Sequence, residues 1–169
     1  MLHWIGAVLI IVSCAAIGFS MAAAHRKEEA ALRDLLQVLE YMSSDLQFRL
    51  TPLPELCRKA AASQKNAVGK VLKTLSVELE HQICPDVSSC MHAALLRCGD
   101  IPASLRNAFE LLGNSLGQFD LEGQLRGIAS VTAQCGMELE RLSCNRDTRL
   151  RSYQTLGLCA GAALAILLI

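Results

Sequence analysis

Eight cysteines, at positions 14, 57, 84, 90, 98, 135, 144 and 159, carry the greatest chemical capacity in this 169-residue chain. A thiolate can attack, exchange disulfides or hold a metal, and each use demands its own spacing and surroundings. No C-x-x-C pair occurs among them. Cys84, Cys90 and Cys98, with His81 and His92, form the one cluster able to ligate a metal, yet its intervals fit no zinc pattern. In a reducing compartment the expectation is small buried hydrophobes without disulfides.

Two other patterns resemble catalytic motifs and fail on context. Gly113-Asn114-Ser115-Leu116-Gly117 satisfies G-x-S-x-G, but a nucleophile elbow needs a preceding strand and a later histidine. Here a helical pattern precedes it and the last histidine is His92, so a glycine-rich turn between helices is expected. Gly69-Lys70 lacks the upstream glycine of a phosphate-binding loop, which makes Lys70 a solvated helix residue. The carboxylates Asp45, Glu55, Glu78 and Glu80 read as scattered over polar faces, with no acid–base pair among them. The residues therefore predict no enzyme, no cofactor and no metal.

The elements around these residues follow from where the charges lie. The chain is 52% hydrophobic and holds 16 basic and 16 acidic residues, so its net charge is zero. That balance excludes the basic footprint of a nucleic-acid binder. All the charges fall between Arg26 and Arg151. Residues 1–24 include 19 hydrophobic positions and residues 152–169 include 13, while the middle is about 44% hydrophobic, as in an ordinary globular domain. The division is thus a transmembrane helix at 1–24, a cytoplasmic helical domain at 25–151 and a second transmembrane helix at 152–169.

As helices the two ends would span roughly 34 and roughly 27 Å, near the thickness of a hydrocarbon core. A cleaved signal peptide needs a basic start, and no Lys or Arg precedes Arg26. Arg26 and Lys27 follow the first apolar run, and Arg146, Arg149 and Arg151 precede the second. The positive-inside rule puts both flanks, and the domain between them, in the cytoplasm. Small residues recur every four positions, at Cys14, Gly18 and Ala22 and at Gly157, Gly161 and Ala165. Either these ridges let helices approach closely or they reflect the general abundance of Gly and Ala in membrane helices.

The middle reads as helices alone. Leu32, Leu35, Leu36, Leu39, Met42, Leu46 and Leu50 make one helical stripe, ended by Pro52 and Pro54. A short helix over about 54–62 follows, then a polar loop at 63–66. A third stripe holds Val68, Val71, Leu72, Leu75 and Leu79. Asp86 caps a fourth helix reaching Gly99, Pro102 opens a fifth that stops at the 113–117 turn, and Asp120 caps the last. The last helix places Leu121, Leu125, Ile128, Thr132, Cys135, Leu139 and Leu142 on one side and meets no proline before the second span. The fold class is all-α, an antiparallel bundle of about six helices between two membrane anchors.

Three stretches together carry a family resemblance. Leu39-Glu40 leads to Thr51-Pro52-Leu53-Pro54-Glu55; Leu112 to Asp120 reads LGNSLGQFD, with Gln124 following; and Tyr153 precedes Leu156-Gly157 and the apolar tail. Jointly they resemble stage III sporulation protein AB of endospore-forming bacteria, from which the cysteine richness and the small Gly123 and Gly127 depart. The resemblance implies a cytoplasmic domain like that of type II secretion platform proteins. It also implies a place in the channel between mother cell and forespore, in the mother-cell membrane. The implied partners are a secretion-type ATPase, stage III sporulation protein AA, other channel membrane proteins and further copies of the chain. The alternatives are a platform subunit of another secretion or pilus system and a cysteine-based membrane redox or metal sensor. The candidate partner-binding residues are the two turns that carry the resemblance: Thr51, Pro52, Leu53, Pro54 and Glu55, and Gly113, Gly117 and Asp120 with Gln124. Those residues would equally serve to shape helix ends.

Overall fold

The computed structural model describes the backbone of residues 2–81, 85–99, 101–117 and 120–168, and the side chains of residues 20, 23–81, 85–99, 101–117 and 120–144. Six helices follow in order: α1 (Leu2–Arg49), α2 (Leu53–Ala62), α3 (Ala67–Glu80), α4 (Val87–Cys98), α5 (Ala103–Ser115) and α6 (Leu121–Leu168). No strand occurs among the described residues. The chain divides into two compact units, Ala30–Leu139 and a second made of Met1–Glu29 with Glu140–Ile169.

The start of each helix follows from its local chemistry. Pro52 stands at the N-cap of α2 with Pro54 in its first turn, where a missing N–H costs nothing. The Asn66 side chain accepts from the Gly69 N–H at 3.4 Å and so caps α3; its amide also donates to Asp34 on α1. Asp86 accepts from the Ser89 N–H at 3.1 Å and the Ser89 hydroxyl at 2.6 Å. These bonds hold the Asp86 carboxyl below its usual range. Asp120 accepts from the Gly123 N–H at 3.0 Å at the head of α6. The caps expected at Asp86 and Asp120 are in place, and Asn66, read as loop, is a third.

The unit Ala30–Leu139 is a helical bundle with one continuous core. Helix α2 packs on α3, α3 on α4 and α4 on α5. Leu32, Leu35, Leu39 and Met42 of α1, Leu72 and Leu75 of α3, and Leu105, Phe109 and Leu112 of α5 are essentially fully buried. Each such side chain contributes about 1.5–3 kcal/mol relative to exposure. Ile128, Val131 and Cys135 complete the core from α6.

Several residues depart from the periodic reading. Leu50, placed at the end of the first stripe, lies past the end of α1 with φ of 53° and is exposed. Leu121 is exposed at the start of α6, while Val131, off the expected stripe, is buried. Helix α5 does not stop before the glycine-rich stretch but runs through Gly113 to Ser115. Asp45 and Glu78, expected on polar faces, are both buried. Glu78 has no exposed surface and pairs with the Arg97 guanidinium of α4. Helix geometry explains both: Asp45 stands three residues after Met42 and Glu78 three after Leu75, on the inward stripe.

Helices α1 and α6 are each continuous over 48 residues. Apart from Ser20, Ala23 and Ala24, the expected spans at 1–24 and 152–169 lie outside the described side chains. Among the described residues, no helix is long and apolar enough to cross a membrane.

Candidate functional site

Three of the five described thiols, Cys57, Cys90 and Cys135, sit in settings that suit packing, while Cys98 is half-buried. Cys57 is fully buried, and burial pushes its thiol up to about 12. Cys90 is buried too, and Cys135 is buried with its thiol raised by the same desolvation. A thiol held protonated at neutral pH is a poor nucleophile and a poor metal ligand. Cys144 is exposed; Cys14, Cys84 and Cys159 lie outside the described side chains. His81 and His92 are exposed. No group of three or more metal-ligating side chains occurs among the described residues. Ser115 is the last residue of α5, and its hydroxyl donates to the Leu111 carbonyl at 2.9 Å, so the G-x-S-x-G pattern forms a helix end. Lys70 is solvated.

The turn containing Gly113, Gly117 and Asp120 is a packing junction. A Cβ on Gly113 would lie 2.8 Å from the Met91 Cβ of α4, so the glycine lets α5 and α4 approach closely. Gly117 has φ of +79°, and a Cβ there would fall 2.3 Å from Val87 Cγ2. Both the left-handed backbone and the close neighbour require glycine. The Ser88 hydroxyl bonds Asn114 Oδ1 at 2.7 Å across the same junction. Gly127 brings α6 onto Ser115, where a Cβ would lie 2.4 Å from the Ser115 Cβ. That approach gives a physical reason for a small residue at Gly127. Gln124 is half-buried and follows the Asp120 cap, its N–H bonded to the Asp120 carbonyl at 2.9 Å.

The Thr51–Glu55 turn has a different character. Thr51 is buried, Pro52 is exposed, and Leu53, Pro54 and Glu55 are half-buried. Glu55 pairs with Lys59 at 2.9 Å, and this bond, more than any other influence, holds the Lys59 ammonium above the usual lysine range. The charges of Asp45 and Tyr41 on α1 add to that shift.

The last turns of α1 form a surface that sequence reading missed. Tyr41, Ser44, Asp45, Phe48 and Arg49 recur at helical spacing along one face of α1 and line a shallow concavity of about 320 Å³. Phe48 is 77% exposed and Leu50 65%, an unusual display for large apolar side chains. The Asp45 side chain, by contrast, is only 3% exposed, with Arg49 at 4.0 Å from Oδ1 and no hydrogen-bond partner at Oδ2. A sequence signal did exist: an aromatic residue at 41 and another at 48, seven positions apart and off the main stripe, flank a carboxylate on the inward register.

With this geometry in hand, the comparisons with known proteins bear on the whole chain. The family described as stage III sporulation protein AB matches residues 3–169. A solved structure of a stage III sporulation protein AB superposes with a TM-score of 0.64 at 15% identity, covering 72% of this chain and 98% of that chain. At that identity the likeness establishes a shared fold. No curated protein matches.

Proposed function

The chain belongs to the stage III sporulation protein AB family, and from that premise we propose that it is a non-enzymatic membrane platform. Family membership carries the general role, in sporulation. The finer reading is a scaffold in the channel between mother cell and forespore, coupling a cytosolic secretion-type ATPase, stage III sporulation protein AA, to membrane components. In this reading residues 1–24 and 152–169 cross the mother-cell membrane and residues 25–151 stand in the cytoplasm. Other channel membrane proteins, and further copies of the chain, are its remaining partners.

The observation that carries the reading is the reach of the family match, which runs through both uncharged ends and the bundle between them. Two further features support it. Helices α1 and α6 run without a break from those ends into the bundle. The side chains able to do chemistry are instead spent on packing and capping: Cys57 and Cys90 in the core, Ser115 on a carbonyl, Asp86 and Asp120 at helix starts.

Deleting the gene in its host tests the role: spore formation should stop after engulfment, and normal spores would refute the proposal. Fractionation of sporulating cells should recover the intact chain with membranes, released by detergent and not by salt. The full chain in detergent should retain the ATPase on an affinity resin.

A further inference from the structure

We propose that the last turn of α4, residues 96–98, is a latch on α3. The ion pair between Arg97 and the buried Glu78 holds it shut, and it opens while the rest of the bundle stays folded. The inference is independent of the scaffold reading.

Three observations converge on this turn. The first is how little apolar burial holds it. Ala94 and Leu95 lie in the core, but Leu96 is 64% exposed, the Arg97 side chain 61%, and Cys98 is only half-buried. Gly99 follows, exposed, with φ of 60°, and an added Cβ there would meet nothing within 4 Å. A segment with few buried apolar contacts opens at a lower free energy than the core it adjoins.

The second is how the turn is tied to α3. Thr74 and Glu78 stand one helical turn apart on α3 and meet Cys98 and Arg97 respectively. The Thr74 hydroxyl donates to the Lys70 carbonyl at 3.0 Å, so toward Cys98 Sγ, 3.7 Å away, it acts as acceptor of the thiol proton. A thiol is a weak donor, whereas a guanidinium on a carboxylate makes a charge-assisted contact. The ion pair is therefore the stronger of the two ties.

The third is the unequal setting of the pair. Glu78 has no exposed surface; its Oε2 has no hydrogen-bond partner, and its Oε1 faces the Arg97 guanidinium alone. A buried carboxylate that loses its cation is an uncompensated charge and draws in water. Arg97 meets it from the solvent side and can swing outward at little desolvation cost to itself. Water then reaches Glu78 along the seam that Arg97 had filled. Parting of the pair and lifting of the turn are thus one event.

The test reads thiol labelling in the full chain held in a non-ionic detergent. A thiol reagent is added over a series of urea concentrations below the unfolding transition. Mass spectrometry follows Cys57, Cys98 and Cys144, each normalised to its rate in the unfolded chain. Cys144 is exposed and Cys57 buried, so they mark the open surface and the opening of the whole bundle. Cys98 should label at a rate between theirs that hardly changes with urea, because lifting one turn exposes little surface. Arg97→Gln should raise the Cys98 rate by a factor of about ten relative to Cys57, and Glu78→Gln should raise it too. Lys73→Gln, which removes an exposed cation of α3, should leave it unchanged.

The proposal is overturned if Cys98 follows the urea dependence of Cys57, because the turn then opens only with the bundle. It is equally overturned if Cys98 labels as fast as Cys144, or if Arg97→Gln speeds Cys98 and Cys57 by the same factor. Should the variants fail to fold, the urea series on the unsubstituted chain still decides whether the turn opens alone.

Discussion

The same substitution in the same helix should have opposite effects at Gly127, which contacts α5, and at Gly136, nine residues further along α6. Gly127→Ala and Gly136→Ala both replace a glycine inside α6, and each gains the intrinsic preference of alanine for helix, about 0.5–1 kcal/mol. At Gly136 an added Cβ meets nothing within 4 Å, so the whole gain should appear as stability. At Gly127 the Cβ would sit 2.4 Å from the Ser115 Cβ and 3.0 Å from its hydroxyl. The colliding atom is the first of its side chain, so rotation cannot relieve the overlap and α6 must shift from α5. Overpacking of this kind costs about 1–3 kcal/mol, which outweighs the propensity gain and leaves a net loss of about 1 kcal/mol. The two variants should thus differ by roughly 2 kcal/mol. For a bundle of this size that is about 6–10 °C in Tm, read by circular dichroism of the full chain in detergent. Ser115→Gly removes the colliding atom, so its cost should shrink in the Gly127→Ala background, a coupling of at least 1 kcal/mol in a double-mutant cycle. Equal stabilisation by both alanines would refute the close approach of α6 to α5.

Four further outcomes follow from pairs, thiols and caps. Arg97→Ala should cost about 2 kcal/mol in denaturant unfolding, because Glu78 has no exposed surface and loses its cation; replacing both by methionine should recover most of the loss. The value sits at the low end for a buried pair because the Arg97 side chain is itself well exposed. Cys57 keeps its proton in the folded chain up to about pH 12, against an ordinary value of 9.0 once unfolded. Between those values the folded state binds more protons, so stability is intact below pH 9 and falls as pH rises. The loss is up to tenfold in the folding constant per pH unit, and Cys57→Ala should flatten that slope in alkaline melts. A thiol reagent at pH 8 should label Cys144 at once and Cys57 only on unfolding. Asp120→Ala should cost about 1 kcal/mol by releasing the Gly123 N–H at the head of α6, seen as a lower denaturation midpoint.

How far the fold was legible can be judged from particular residues. Pro54, Pro102, Asp86 and Asp120 announced helix starts because a missing N–H or a short acceptor acts within one turn. The stripes from Leu32 to Leu46 and from Val68 to Leu75 announced the buried faces because the core is one continuous apolar body. What stayed hidden depends on neighbours distant in sequence. Nothing near Glu78 reveals that Arg97 lies opposite, and nothing near Gly127 reveals Ser115. Polarity alone put Asp45 and Glu78 on the surface, although their registers, three residues after Met42 and after Leu75, pointed inward. The glycine-rich stretch from Gly113 was read as a turn, but a close neighbour at Met91 can reward glycine inside a helix. The Thr51–Glu55 turn was singled out by its motif, whereas the neighbouring display of Phe48 and Leu50 needed their exposure to be seen.

The order in which the bundle's helices meet has a consequence during synthesis. Helices α2, α3, α4 and α5 each pack on the next in sequence, so these contacts close over short loops and can form as soon as each helix leaves the ribosome. Core positions of α6, such as Ile128 and Cys135, are made last. Until they arrive the nascent bundle lacks one wall, and its apolar interior stays open to chaperones and to wrong partners. A truncation before Leu121 should therefore yield an aggregation-prone chain, while one that retains α6 through Leu139 closes the core.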